Sequence, residues 1–141
     1  NLKNFEKEIQ VLHSAFKQGL ANCQSREMIH IGHLAFGALA QDYGLNLHAL
    51  TGTSHQSEHS VRKLADLVKL IKKHQVRAVF TEEMLSPDLA NTVSLETGVF
   101  VLPLYTVHGV SKEDFSAQKT YLDFMRQNLT NLQKGLQCQA Q

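Results

Sequence analysis

Histidine is the residue type that this chain holds in excess, with eight among 141 residues. A neutral imidazole offers a lone pair that suits zinc, and a bound zinc ion ordinarily takes four ligands in a tetrahedron. The stretch "HIGHLAFGALAQDYG" (30–44) sets His30 and His33 three apart at the end of an apolar run. On a helix that spacing would bring both to one face. On a strand and its exit side chains alternate, so the spacing alone does not pair them. His30 is expected to be a structural histidine, pointing opposite Ile29 and Ile31, whereas His33 is a candidate ligand. His108, in "YTVHGV", is a second candidate. His55 and His59 share the polar segment "TSHQSEH" and are expected to be solvated, and His13, His48 and His74 to be structural or solvated. Glu82 and Glu83 are candidate ligands or a general base. The alternative is that one faces solvent and the other accepts hydrogen bonds from backbone N–H groups.

Other chemistries lack the residues they need. With 14 basic and 13 acidic side chains, no overall field draws the chain to nucleic acid or to an anionic membrane. Neither GxGxxG nor a phosphate-cradling GxxxxGKS/T occurs, and neither a GxSxG elbow nor HExxH is present. Catalysis has no positive support; a metal-dependent hydrolase with Glu82 or Glu83 as base would need a substrate pocket that the sequence does not reveal. No stretch approaches the roughly 20 apolar residues of a membrane span. Cys23 and Cys138 stand 115 positions apart and match no metal-binding spacing. They are expected to be two unrelated thiols, with a disulfide joining the end of the first helix to the tail of the last as the alternative.

The elements that must position these side chains follow from periodicity. "NLKNFEKEIQVLHSAFKQGL" opens the chain in helical rhythm, with Phe5, Ile9, Leu12, Phe16 and Leu20 in one stripe. It lacks an initiator Met and begins mid-stripe, as a mature form or a fragment would. Strands are expected over 27–33, 45–52, 76–83 and 99–105, with Pro103 marking a strand end or an edge position. Helices are expected over 34–43, with Gly44 as its left-handed cap; over 61–74, with Ser60 as N-cap; and over 86–98, with Ser86, Pro87 and Asp88 at its start. A last helix is expected to follow the capping box at Ser111–Asp114 and to carry Leu122, Met125, Leu129, Leu132 and Leu136 on one face. This alternation predicts an α/β fold, a four-stranded parallel sheet flanked by helices and preceded by part of a longer helix. Ligands bind beyond the carboxyl ends of such strands, and that edge receives His33, His55, His59, His108, Glu82 and Glu83.

The segment "HLAFGALAQDYGL" (33–45) resembles a family of extracytoplasmic proteins that feed zinc or manganese to bacterial ABC importers. The resemblance continues in order through "TSHQSEHSVRKLADLVKLIKKHQVRAVFTEE" (53–83), "SPDLANTVSLETG" (86–98) and "KTYLDFMRQNLTNLQKGL" (119–136). Family members have two lobes joined by a long helix, with the metal held between them. The resemblance therefore implies that residues 1–24 are the end of that connecting helix and 25–141 the C-terminal lobe, the N-terminal lobe being absent from this chain. It implies His33 as the metal ligand after the first strand. The family's acidic ligand after the fourth strand has no counterpart in "LYTVHGV", and His108 falls at or beside that position as its replacement. An imidazole in place of a carboxylate tilts the site towards Zn²⁺ over Mn²⁺. His55 and His59 also replace residues common in the family, as an auxiliary loop or as neutral changes. The implied function is capture of Zn²⁺ and delivery to a membrane permease, by a protein periplasmic or lipid-anchored at the outer face of the cytoplasmic membrane. The alternative is a metal-free interaction module that keeps the fold without a complete site. Self-association of the lobe is a further route to completing the ligand set.

Overall fold

The computed structural model describes residues 2–50, 57–83 and 87–139, with the side chains of residues 57–61, 63, 87 and 89 outside that description. His55 therefore lies outside the described residues, and of His59 only the backbone is described. The first helix, α1 (Leu2–Gly19), turns Leu12 and Phe16 into the interior, whereas Phe5 at the other end of the same stripe is 48% exposed. Four strands follow: β1 (Glu27–Ile31), β2 (Asn46–Leu50), β3 (Ala78–Glu82) and β4 (Phe100–Leu104). They form one parallel sheet in the order β2-β1-β3-β4, as the strand–helix alternation predicts. Pro103 lies on the edge strand, where a missing N–H costs least.

Alternation along the strands sends successive side chains to two separate cores. Met28, Ala78, Phe80, Leu102 and Leu104 pack under α1, α2 (Gly37–Asp42) and α6 (Tyr121–Gly135). Ile29, Ile31 and Val79 pack on the other face, under α3 (Ser57–His74) and α4 (Pro87–Thr97). Gly135 has to be glycine for α6 to lie this close, since a Cβ there would stand 2.5 Å from Phe80 Cζ. Gly44 ends α2 with φ +65°, the left-handed cap that its position predicts.

Three expectations are corrected. Helix α3 begins at Ser57, so Ser60 lies inside it. The first turn of a helix carries N–H groups without intrahelical partners, and its start is not set by the apolar stripe from which Ser60 was inferred. The last helix is two. A short α5 (Lys112–Ser116) starts at Ser111, whose Oγ accepts from Asp114 N–H, and the chain then reverses at Gln118 with φ +52°. Helix α6 has its own capping box: Thr120 Oγ1 accepts from Asp123 N–H, and Thr120 N–H donates to Asp123 Oδ2 at 2.8 Å. Finally, Cys23 and Cys138 are not independent thiols but a disulfide. Packing of α1 beside α6 brings the two segments together. Ser25 N–H donates to Leu136 O at 3.1 Å and Gln139 N–H to Asn22 O at 2.9 Å, which leaves the cysteines side by side.

Candidate metal centre

The sheet's connections diverge at β1: the chain leaves it for β2 on one side and reaches β3 on the other. The crevice beyond the carboxyl ends of β1 and β3 is thus the topological switch point, where open parallel sheets hold ligands. His33 and Glu82 meet there. His33 Nδ1 lies 2.8 Å from Glu82 Oε1, and the His33 backbone N–H donates to the same oxygen. The His33 side chain is 90% exposed, whereas Glu82 is 24% exposed. A carboxylate on Nδ1 fixes the ring's orientation and leaves Nε2 as its donor, the arrangement usual behind a metal-ligating histidine. Burial works against a charge on Glu82, but the backbone N–H and ring of His33 outweigh it and hold the carboxyl below its ordinary value. Gly32 makes the contact possible. Its φ is +141°, and a Cβ would stand 2.6 Å from Glu82 Oε1.

Glu83 anchors the neighbouring loop. Its carboxylate accepts from Thr106 N–H at 3.1 Å and from Thr106 Oγ1–H at 2.9 Å. Both glutamates therefore accept backbone N–H bonds, where one alone was expected to. Asn128, fully buried on α6, grips the same loop: its Oδ1 accepts from Tyr105 N–H at 2.7 Å and its Nδ2 donates to Tyr105 O at 2.9 Å. Val107 then takes φ +61° and His108 projects as an exposed residue, its N–H directed to Thr106 Oγ1 at 3.4 Å. Since β3 separates β1 from β4, the two loops bearing His33 and His108 leave the sheet about 10 Å apart. Glu82, the last residue of β3, and Glu83 just after it hold one loop each.

The remaining histidines divide. His30 is 1% exposed and meets the Phe36 ring edge-on at 5.0 Å, a structural residue as expected. Burial lowers its pKa and keeps it neutral. His13 Nδ1 lies 3.0 Å from the Tyr43 hydroxyl. His48 and His74, expected to be separate structural or solvated residues, instead converge on Glu27. His48 Nε2 and His74 Nδ1 stand 2.6 and 3.1 Å from the same oxygen, Glu27 Oε2. Sequence reasoning missed this group, because its members come from β1, β2 and the end of α3.

Comparison with known proteins gives a consistent answer. A family profile described as "Zinc-uptake complex component A periplasmic" matches residues 1–135. The zinc-binding lipoprotein AdcA of Streptococcus pneumoniae is 34% identical over 134 residues, which is 95% of this chain and 26% of that protein. The high-affinity zinc uptake system protein ZnuA of Bacillus subtilis is 34% identical over 136 residues, 96% of this chain and 42% of that protein. The crystal structure of the Zn(II)-bound ZnuA-like domain of S. pneumoniae AdcA superposes with a TM-score of 0.83 at 33% identity, over 95% of this chain and 50% of that one. This chain thus spans less than half the length of these curated relatives and half of the solved domain. Sequence, fold and coverage agree: the chain belongs to the periplasmic zinc-uptake component A family.

Proposed function

We propose that this chain is the C-terminal, metal-binding lobe of the substrate-binding component of a zinc ABC importer, which captures Zn²⁺ and passes it to a membrane permease. The observation that carries the reading is His33, held through Nδ1 by Glu82 at the switch point with Nε2 turned outward. His108 is its partner ligand in this reading, in place of the acidic residue that the family uses there. Two imidazoles and no carboxylate favour zinc over manganese. In the same reading residues 1–24 are the end of an inter-lobe connecting helix, a use that suits the uncovered Leu2 and Phe5 of α1. The other ligands come from an N-terminal lobe or, for this lobe alone, from a second copy of itself. A family described as periplasmic and a relative that is a lipoprotein support a place outside the cytoplasm. The disulfide agrees, since such bonds persist in oxidising compartments.

The metal-free module remains the second reading. One observation favours it: among the described residues, neither His33 nor His108 belongs to a compact group of three metal-ligating side chains. Calorimetric titration with Zn²⁺ separates the two readings. Zinc transport predicts binding that both His33→Ala and His108→Ala weaken. Binding lost with His33→Ala alone would remove His108 from the site. Zinc binding that neither substitution alters would overturn the reading. No binding by this chain alone would call for the same titration on a longer chain carrying the N-terminal lobe, where absent binding would overturn it.

A further inference from the structure

We propose that Glu27, His48 and His74 form a second divalent-metal site, on the α3 side of the sheet and near its amino end, taking Zn²⁺ or a similar borderline first-row ion. Two imidazoles and one carboxylate are an established donor set for such ions, with positions left over for water. No other group of three such side chains gathers within reach of one ion among the described residues.

The donors are brought together by rigid elements. Glu27 starts β1, and the parallel register pairs it with Asn46 and pairs Ile29 with His48. Alternation puts Glu27 on the same face as Ile29, towards α3, and His74 is the last residue of that helix. The ligand atoms lie within 4.8 Å of one another, and the two rings stand 4.4 Å apart between centroids. Zinc ligands at about 2.0–2.1 Å from the ion are roughly 3.3 Å from each other. The contacts of 2.6 and 3.1 Å to Glu27 Oε2 thus need to open by less than an ångström, with ring protons giving way to the ion.

The surroundings suit an ion. Asn46 Nδ2–H donates to Glu27 Oε1 at 2.7 Å, so that one oxygen is held from behind and Oε2 is left facing the histidines. His74 Nε2 is buried without a hydrogen-bond partner among the described residues. Without metal the Glu27 carboxylate, 3.1 Å away, favours the ring proton on Nδ1; an ion at the group displaces that proton to Nε2 or to solvent, and the Nδ1 lone pair then faces the ion. Side-chain exposures of 23% for Glu27, 29% for His48 and 18% for His74 leave the group reachable from solvent. This site shares no residue with the one proposed above and stands or falls separately from it.

Titration with Co²⁺, whose visible absorption reports low coordination numbers, tests the site in a His33→Ala background that silences the switch point. The expected result is an absorption band that Zn²⁺ displaces and that Glu27→Gln and His74→Gln each weaken by roughly tenfold or more in affinity, while His108→Ala leaves it unchanged. A band indifferent to both substitutions, or none at all, would overturn the site. Since these residues also pack, imidazole ¹⁵N resonances of the unsubstituted protein give an independent reading. On adding Zn²⁺, His48 Nε2 and His74 Nδ1 should both shift, whatever His33 does. Shifts confined to His33 or His108 would refute the second site.

Discussion

At the carboxyl end of the sheet Glu82 meets one histidine that is 90% exposed, while near the amino end Glu27 meets two that are 29% and 18% exposed. The same residue pair does different work in the two places. An exposed ring anchored at one nitrogen leaves the other free, and in the proposed zinc site its ligand set would be completed from elsewhere. Rings packed against one carboxylate oxygen would, in the proposed second site, complete most of a ligand set among themselves. The backbone follows the same division. At the carboxyl end the loops take positive-φ conformations, Gly32 at φ +141° and Val107 at φ +61°, held by the carboxylates of Glu82 and Glu83 and, for the second loop, by Asn128 as well. At the amino end the chain is clamped by the Cys23–Cys138 bond and by Arg26, which donates to Leu20 O at 2.7 Å and Ala21 O at 2.8 Å and so closes the carbonyl end of α1.

The sharpest test of this contrast is to remove the clamp. Cys23→Ser with Cys138→Ser opens a loop of 115 residues and is expected to lower unfolding free energy by about 4 kcal/mol in urea titration, with Zn²⁺ affinity at His33 unchanged. Loss of that affinity would mean that the two ends are coupled. Next in size, Gly32→Ala strains a left-handed position and drives a methyl into Glu82, costing about 2 kcal/mol. Unlike the cysteine pair, it should also weaken zinc binding, because the carboxylate must leave His33. Glu83→Ala releases Thr106, costs about 1–2 kcal/mol, and should speed hydrogen exchange at the Thr106 amide while the His33 amide keeps its protection.

The pH dependence should be smallest. His30 has a folded pKa below its ordinary 6.5, so the unfolded chain binds the proton first and stability falls as pH drops through 6.5. Glu27 and Glu82 have folded values below 4.5, so each adds stability at neutral pH that is lost only as pH falls below 4.5 towards those lowered values. Urea unfolding from pH 7 to pH 4 should show the first decline in the parent and not in His30→Gln.

Much of the fold was legible because its signals are local. The stripe of α1, the strand–helix alternation, Gly44 and the Ser111 cap each depend on residues within a turn or two of one another. His33 and His108 were placed at one edge by topology alone, since both follow a strand's carboxyl end. The pairing of Glu82 with His33 was not legible. It spans 49 positions and depends on the β1–β3 register and on the space left by Gly32. The amino-end trio is hidden for a similar reason: Glu27 and His48 are 21 positions apart, and only the β1–β2 register brings them face to face. The break between α5 and α6 was missed because the apolar positions of α6 keep helical rhythm whether or not the preceding turn is helical, and Thr120 with Asp123 was an unread second cap.

The bond between Cys23 and Cys138 also makes the lobe a covalent ring. The whole sheet and every helix except α1 lie between the two cysteines. A protease that cuts once within that ring opens it without dividing the molecule, so the nicked chain travels as one piece until a reductant splits it in two. A cut in the loops beyond the carboxyl ends of the strands thus leaves the strands tethered.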